Sequence, residues 1–329
     1  MTLMNRRAEH PENAPKSTAQ GTPAEERAAR KVAALLAPLV RSGAYLKYFD
    51  LWQEHGFHVS RNHFYEPIPD TRALPDALWE REAPLHGIDM NGAEQVRLLQ
   101  EVFPRFADEY NGFAHAPAPE DPHRYYFDNP MFSGTDALVS YCMMRYAAPR
   151  RIVEVGGGFS TLLAAEAARR NGTTELVCIE PSPRPFLNAR LPGLTALLEA
   201  PVQEVDPAVF AQLEAGDVLF IDSSHVARIG SDVNYLLLDV LPTLRPGVLV
   251  HLHDVFLPRE YPKDWVLEQR RFWNEQYLLQ AFLIYNRCFE VLFANSYMAQ
   301  HHPDAMRSTF PRSPWWGGGS FWMRKHRAG

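Results

Sequence analysis

Five short apolar runs in this chain each end in residues equipped for chemistry. Glu154 and the glycines Gly156, Gly157 and Gly158 close the first, Glu180-Pro181-Ser182 the second, and Gln203-Glu204 lie just beyond the third. Asp222-Ser223-Ser224-His225 follow the fourth and His253-Asp254 the fifth. A glycine turn between strand and helix lets backbone approach a nucleotide-like ligand closely, because glycine has no Cβ to hold it off. A carboxylate roughly 20 residues further on, at the next strand end, stands where ribose hydroxyls would lie, and Glu180 is near that offset from Gly156. The first implication is a nucleoside cofactor. The second is a polar centre in which Asp222, His225, His253 and Asp254 supply oxygen and imidazole groups. Such a set can bind a divalent ion, or act without metal with a histidine removing a substrate proton. A third reading is structural: His251 and His253 share one face of their strand and would satisfy buried polar groups.

The residues around the turn separate two cofactor classes. A nicotinamide site prefers G-x-G-x-x-G, and this chain has Thr161 where the last glycine belongs. Glu154, two residues before the turn, would repel a pyrophosphate but suits the ammonium of a methionine-like group. The segment Glu154-Val155-Gly156-Gly157-Gly158-Phe159-Ser160 resembles the first motif of the class I S-adenosylmethionine-dependent methyltransferases.

That resemblance implies a cofactor set of Glu154, Gly156, Gly157, Gly158, Ser160, Thr161, Glu180, Pro181, Ser182, Gln203, Asp222 and Ser223. Glu154 and the glycines would hold the methionine part, Glu180 both ribose hydroxyls, and Gln203 or Glu204 would lie near the adenine. Catechol-type O-methyltransferases place an Asp after strand four and an Asp-Asn pair after strand five, together binding magnesium. Asp222 matches the first position, whereas His253-Asp254 departs from the second. The pattern is closer to sugar-hydroxyl methyltransferases of macrolide pathways, with their Asp-x-x-His and His-Asp. The implied catalytic residues are His225, His253 and Asp254; the implied ligands of a magnesium or other divalent ion are Asp222, His253 and Asp254.

The elements that must position these residues follow from periodicity. Strands are predicted at Arg151–Val155, Glu175–Ile179, Thr195–Glu199, Asp217–Ile221 and Val248–Leu252, then Phe289–Asn295 and Ser320–Met323. Helices are predicted over Ala28–Tyr48, Asn91–Asn111, Thr135–Ala147, Asp232–Leu241 and Glu268–Tyr285. Alternating strands and helices argue a doubly wound, mostly parallel α/β sheet of the Rossmann-like kind, and the last two strands can pair antiparallel. Residues 28–134 read as a helical N-terminal cap and 135–329 as the cofactor-binding domain. Residues 1–27, rich in Pro, Ala, Glu, Ser and Thr, read as a disordered tail. Tyr261, Trp273, Glu275 and Trp316 are candidate substrate contacts, Trp273 and Glu275 on a helix and Trp316 in a glycine-flexible loop.

The bulk numbers exclude little but point one way. With 329 residues the chain can hold one large domain and a smaller one. A net charge of −6 gives no general reason to bind nucleic acid, and no apolar run approaches the roughly 20 residues of a membrane span. Cys142, Cys178 and Cys288 lack metal-binding spacing and read as buried free thiols, which fits a cytoplasmic protein. The expected activity is methyl transfer from S-adenosylmethionine to a hydroxyl of a small molecule, a sugar or secondary metabolite, with a homo-oligomer open. The rivals are a nicotinamide-dependent oxidoreductase, a metal-dependent oxygenase-like enzyme on the same fold, and a binding protein without turnover.

Overall fold

The parallel strands form because their sequences are nearly continuous apolar runs, the composition a strand needs when both faces of its sheet are covered. In the computed structural model, which describes residues 21–188 and 190–326, these runs are β1 (Arg151–Val155), β2 (Glu175–Ile179), β3 (Ala196–Leu198), β4 (Val218–Ile221) and β5 (Leu249–Leu252). With β6 (Phe289–Ala294) and β7 (Phe321–Lys325) they make one seven-stranded sheet, ordered β3-β2-β1-β4-β5-β7-β6. β1 to β5 are parallel, and β7 runs antiparallel to both β5 and β6. The order reverses between β1 and β4, which puts a crevice beyond the carboxyl ends of those strands.

Side-chain alternation builds a core on each face. Ile152, Phe220, Phe293 and Trp322 point into one layer, with Leu163 and Tyr141 of the covering helices. Val153, Val155, Leu219, Ile221, Val250 and Leu252 point into the other, with Leu236 and Leu237. The helices Gly134–Ala147 and Phe159–Asn171 belong to the first layer and are buried except toward their last turns. Glu154 and His251 lie on that same apolar face. Their register partners run Glu154, Phe220, His251, Trp322 from β1 to β7.

The chain divides into two compact units. The larger holds the sheet and comprises residues 81–261 and 273–326 of those described. The smaller comprises residues 21–80 and 262–272. Within the smaller unit Lys263 Nζ meets Asp76 Oδ1 at 2.7 Å and Trp52 Nε1 donates to the Tyr45 carbonyl at 3.0 Å. Residues 81–134, expected to belong to an N-terminal cap, cluster instead with the sheet. One reason is Gln95, buried, whose Oε1 accepts the Ala294 N–H of β6 at 2.8 Å.

Several boundaries differ from the sequence reading for local reasons. The expected tail lies outside the described residues up to position 20, and from there it is ordered. A helix runs Pro23–Ser42, opened by a capping box in which Glu25 N–H donates to Thr22 Oγ1 and Thr22 N–H to Glu25 Oε2. The helix expected at Glu268–Tyr285 starts only at Glu275 and runs to Leu283, with a separate short helix, Lys263–Leu267, ahead of the expected range, so Trp273 and Asn274 precede the helix rather than lying on it. Between β6 and β7 stand the helices Asn295–His301 and Pro303–Thr309, where a loop was expected. No helix among the described residues is long and apolar enough to cross a membrane.

Candidate functional site

The first half of the site is the β1 turn. Gly156 has φ 89°, and a Cβ there would lie 1.8 Å from the Asp222 carbonyl oxygen, so only glycine permits this approach of the β1 and β4 ends. The two ends are tied directly, Asp222 N–H donating to the Val155 carbonyl at 2.8 Å. Gly157 N–H donates to Glu180 Oε2 at 3.0 Å and Ser182 N–H to Oε1 at 2.8 Å. The Glu180 carboxylate is thus fixed over the turn, and each oxygen keeps a lone pair for a hydroxyl donor. Thr161 is buried, and its Oγ1 accepts from Gly158 N–H at 3.0 Å, a hydrogen bond that glycine at this position would forgo.

Glu154 is fully buried. Its Oε1 accepts from Ser160 Oγ–H at 2.6 Å, while Oε2 has no hydrogen-bond partner. Burial pushes its carboxyl up to about 8, against the lowering effect of Ser160 and Thr161. A buried acceptor in this condition fits a cationic donor such as the ammonium of S-adenosylmethionine. The space beside Gly158, where an added Cβ would meet nothing within 4 Å, leaves room at the turn. The residues present therefore fit that cofactor. Gln203 is exposed in the short helical turn Val202–Glu204, where its Nε2 donates to the Gly230 carbonyl at 3.0 Å. Pro181 is exposed, and the Ser223 hydroxyl is buried without a hydrogen-bond partner.

The second half lies beyond β4 and β5. His225 Nε2 stands 3.3 Å from Asp222 Oδ1 and 3.5 Å from Asp254 Oδ2. His253 Nδ1 stands 3.6 Å from Asp222 Oδ1 and 3.4 Å from Asp254 Oδ1. Asp222, His225 and Asp254 each offer a ligand atom within 4.8 Å of the other two. The expected triad had His253 in the place His225 takes, with His253 at the edge of the group. His225 and Asp254 both have φ 59°, a left-handed backbone that non-glycine residues adopt at a cost of order 1 kcal/mol. Asn274 N–H and Glu275 N–H hold the first of these, donating to the His225 carbonyl at 3.1 and 3.2 Å.

A carboxylate backs each histidine from outside the strand ends. Glu275 is buried, and its Oε2 lies 2.9 Å from His225 Nδ1. Asp136, in the first turn of the helix Gly134–Ala147, presents Oδ2 to His253 Nε2 at 3.6 Å. Asp136 is itself pinned, accepting from Asn295 Nδ2 and Ser320 N–H at 2.8 Å each and from Gly319 N–H at 3.1 Å. Sequence reasoning missed Asp136. The available signal was a lone carboxylate within an otherwise apolar helical run.

Burial alone would lower both imidazoles, but the surrounding carboxylates outweigh it. Asp222, Glu275 and Asp254 carry His225 up to about 10, and Asp254 and Asp222 carry His253 well above its ordinary value. Burial would raise Asp222, yet the two histidines hold it well below the usual carboxylate range. Burial raises Glu275 against the pull of His225. His251 is separate from this group. It is wholly buried and stacked between Phe220 and Trp322, centroids 4.3 Å away and planes 10° apart on each side, and burial holds it well below its ordinary value. Its Nε2 meets Ser320 Oγ at 3.0 Å, so the structural reading holds for His251.

The other expected substrate residues are placed as follows. Trp273 packs against His225 with ring centroids 4.3 Å apart and planes inclined by 40°. Tyr261 is buried, and its hydroxyl oxygen accepts from Gln276 N–H at 3.1 Å. Trp316 donates from Nε1 to the Phe310 carbonyl at 3.0 Å, and Arg307 lies over its ring. Two of the glycines after it are required by close approach: a Cβ on Gly318 would lie 2.1 Å from Asp136 Oδ2, and one on Gly319 2.5 Å from Asp254 Cα, so the segment before β7 needs glycine to pass between the two carboxylate residues.

The sheet order, the reversed last strand and the glycine turn at the switch point define a class I methyltransferase fold. Residues 153–255 match the family described as "Methyltransferase domain". An uncharacterized protein of Archaeoglobus fulgidus is 32% identical over 166 residues, covering 46% of this chain and 72% of that one, and the chain belongs to one family with it. Among solved structures, the O-methyltransferase TomG of Streptomyces achromogenes, crystallised with S-adenosylmethionine, is 16% identical with a TM-score of 0.35, covering 72% of this chain and 97% of its own. An O-methyltransferase of Bacillus cereus is 15% identical with a TM-score of 0.34, covering 72% and 98%.

Proposed function

We propose that the protein transfers the methyl group of S-adenosylmethionine to a hydroxyl of a small molecule, a sugar or secondary metabolite. One observation carries this reading. The turn and Glu180, suited to the cofactor, are tied to the loop that bears Asp222 and His225, suited to handling a hydroxyl proton. S-adenosylmethionine supplies an activated methyl on a sulfonium, which leaves the protein alignment of the acceptor and removal of its proton.

Glu154 Oε2 takes the ammonium of the methionine part, and Glu180 takes the ribose hydroxyls. The Gly156–Gly158 backbone allows both groups to sit against the sheet. The acceptor hydroxyl is placed in line with the sulfur–methyl bond by the residues beyond β4 and β5. S-adenosylmethionine would give up its methyl with the sulfur–carbon electron pair left on sulfur, and the acceptor's proton would leave toward the Asp254 carboxylate, while His225 and His253, which the surrounding carboxylates keep protonated, would orient the acceptor oxygen. An ion held there by Asp222 and Asp254 would lower the pKa of a bound hydroxyl, and the surplus of carboxylates fits that role. The test is transfer of labelled methyl from S-adenosylmethionine to a panel of sugars, catechols and hydroxylated metabolites. Label appearing on oxygen supports the proposal, whereas transfer confined to amine or carbon acceptors overturns it.

A further inference from the structure

The two histidines beyond β4 and β5 are held by opposite means. His225 is aimed by a hydrogen bond between Nδ1 and Glu275 Oε2 at 2.9 Å. His253 is buried with no hydrogen-bond partner on either ring nitrogen, although oxygens of Asp136, Asp222 and Asp254 stand 3.6, 3.6 and 3.4 Å away. Those carboxylates attract the ring without aiming it, because direction comes from hydrogen-bond alignment. We propose that Phe132, held in place by Asn129, is the positioning residue that sets the His253 ring, and that the turn bearing both keeps His253 in register with the cofactor turn. This rests on reading the β4 and β5 ends as the acceptor side, but not on the identity of the acceptor.

The first ground is packing. Phe132 is buried, its ring centroid 5.0 Å from that of His253 with the planes inclined by 49°, and it also meets Phe220 of β4 at 5.9 Å. His251 meets His253 edge-on at 6.2 Å and is itself fixed between Phe220 and Trp322. Buried rings in such contact restrict one another's side-chain torsions, since a close-packed interior leaves no space for a second rotamer. His251 is placed by its strand. Phe132 comes from a loop, so something must hold the loop.

The second ground is how completely that loop is tied. Asn129 is 4% exposed and spends its whole side-chain capacity inside the turn. Its Oδ1 accepts from Met131 N–H at 3.1 Å and Phe132 N–H at 2.7 Å, and its Nδ2 donates to the Tyr126 and Phe132 carbonyls at 2.8 Å each. The Phe132 carbonyl also accepts from the buried Tyr125 hydroxyl at 2.8 Å. Both backbone groups of Phe132 are therefore fixed, and Pro130 restricts the backbone between it and Asn129. A satisfied buried network of this kind specifies one conformation, because any shift leaves buried polar groups unpaired.

The third ground is the other end of the turn. Tyr126, whose carbonyl Asn129 holds, packs edge-on against Phe159 with centroids 5.5 Å apart and planes at 85°. Phe159 opens the helix that follows Gly156–Gly158. One short piece of chain thus touches the cofactor turn through Tyr126 and the acceptor side through Phe132. In-line methyl transfer requires the two sides to be aligned, and a rigid piece common to both supplies that alignment.

The experiment uses the full chain with carbon-13-labelled histidine, the ring signals of His225, His251 and His253 being assigned by NMR from single His→Gln variants. Asn129→Ala keeps the Phe132 ring but frees its backbone. It should shift or split the His253 signal, leave those of His225 and His251 in place, and leave S-adenosylhomocysteine affinity unchanged in calorimetry. If Asn129→Ala does not fold, Tyr125→Phe, which removes one hydroxyl, must move the His253 signal in the same selective way. In the labelled-methyl assay Phe132→Leu should lower kcat about 10- to 100-fold with the KM for S-adenosylmethionine unchanged. A His253 signal that stays put, three signals that move alike, or an unchanged kcat would overturn the proposal. A selective His253 response in a protein that methylates no hydroxyl would leave this inference standing and sink the proposed function instead.

Discussion

The two halves of the site are built by opposite means. The ends of β1 and β2 present backbone and two glutamates, drawn from segments next to each other in the sheet and near each other in sequence. The ends of β4 and β5 present side chains, gathered from the helix Gly134–Ala147, the two strand ends and the segment Trp273–Gln276. The first half holds one unsatisfied acceptor, Glu154 Oε2; the second holds a crowd of carboxylates that two imidazoles must balance. A cofactor shared by many enzymes can be held by a local motif. An acceptor peculiar to one enzyme needs residues that only the tertiary fold brings together.

Substitutions should break the halves separately. The largest effect is expected from Gly156→Ala, since its Cβ would overlap the Asp222 carbonyl that joins them. With a left-handed backbone as well, the variant should lose several kcal/mol of stability, read by denaturant unfolding, or fail to fold. Glu180→Ala should fold but bind S-adenosylmethionine about 100-fold more weakly or worse in calorimetry, from the loss of two charge-assisted hydrogen bonds. His253→Ala should be the mirror case, losing turnover about 100-fold or more while calorimetry finds cofactor affinity unchanged.

A pH series sharpens the contrast at Glu154. Its folded pKa, about 8, lies above the ordinary 4.5, so in the ligand-free protein the Glu154 contribution to stability should be fully present below about 4.5 and be lost as pH rises through 8. The slope in that window is at most about 1.4 kcal/mol per pH unit, and Glu154→Gln should remove it. Because the cofactor ammonium favours the carboxylate, binding should release a proton and tighten as pH rises toward 8. Calorimetry in buffers of different ionisation enthalpy measures that release, and its absence would mean Glu154 does not meet the ammonium. The smallest effect is expected at Trp316, whose indole is engaged with Phe310 and Arg307: Trp316→Phe should change kcat less than about twofold.

What the sequence revealed divides along the same line. β1 and β2 were readable to the residue, because an apolar run ending in glycine or a carboxylate is a local signal. The strand-end rule also singled out Asp222, His225, His253 and Asp254. It gave no sign that Glu275 reaches back to His225 across the fold, because that contact depends on where two distant loops meet. Asp136 was hidden for the same reason. Composition alone does not distinguish a mobile glycine from one required by close approach, as Gly318 and Gly319 are between Asp136 and Asp254. The helix break at 268–274 followed no visible pattern either; residues 262–272 belong to the smaller unit.

The most direct measurement is calorimetric titration of the purified chain with S-adenosylmethionine, S-adenosylhomocysteine and NADH. Micromolar or tighter binding of both adenosyl ligands, lost in Glu180→Ala, with no heat from NADH, is the predicted result. Binding of NADH, or of neither adenosyl ligand by folded protein, would contradict it.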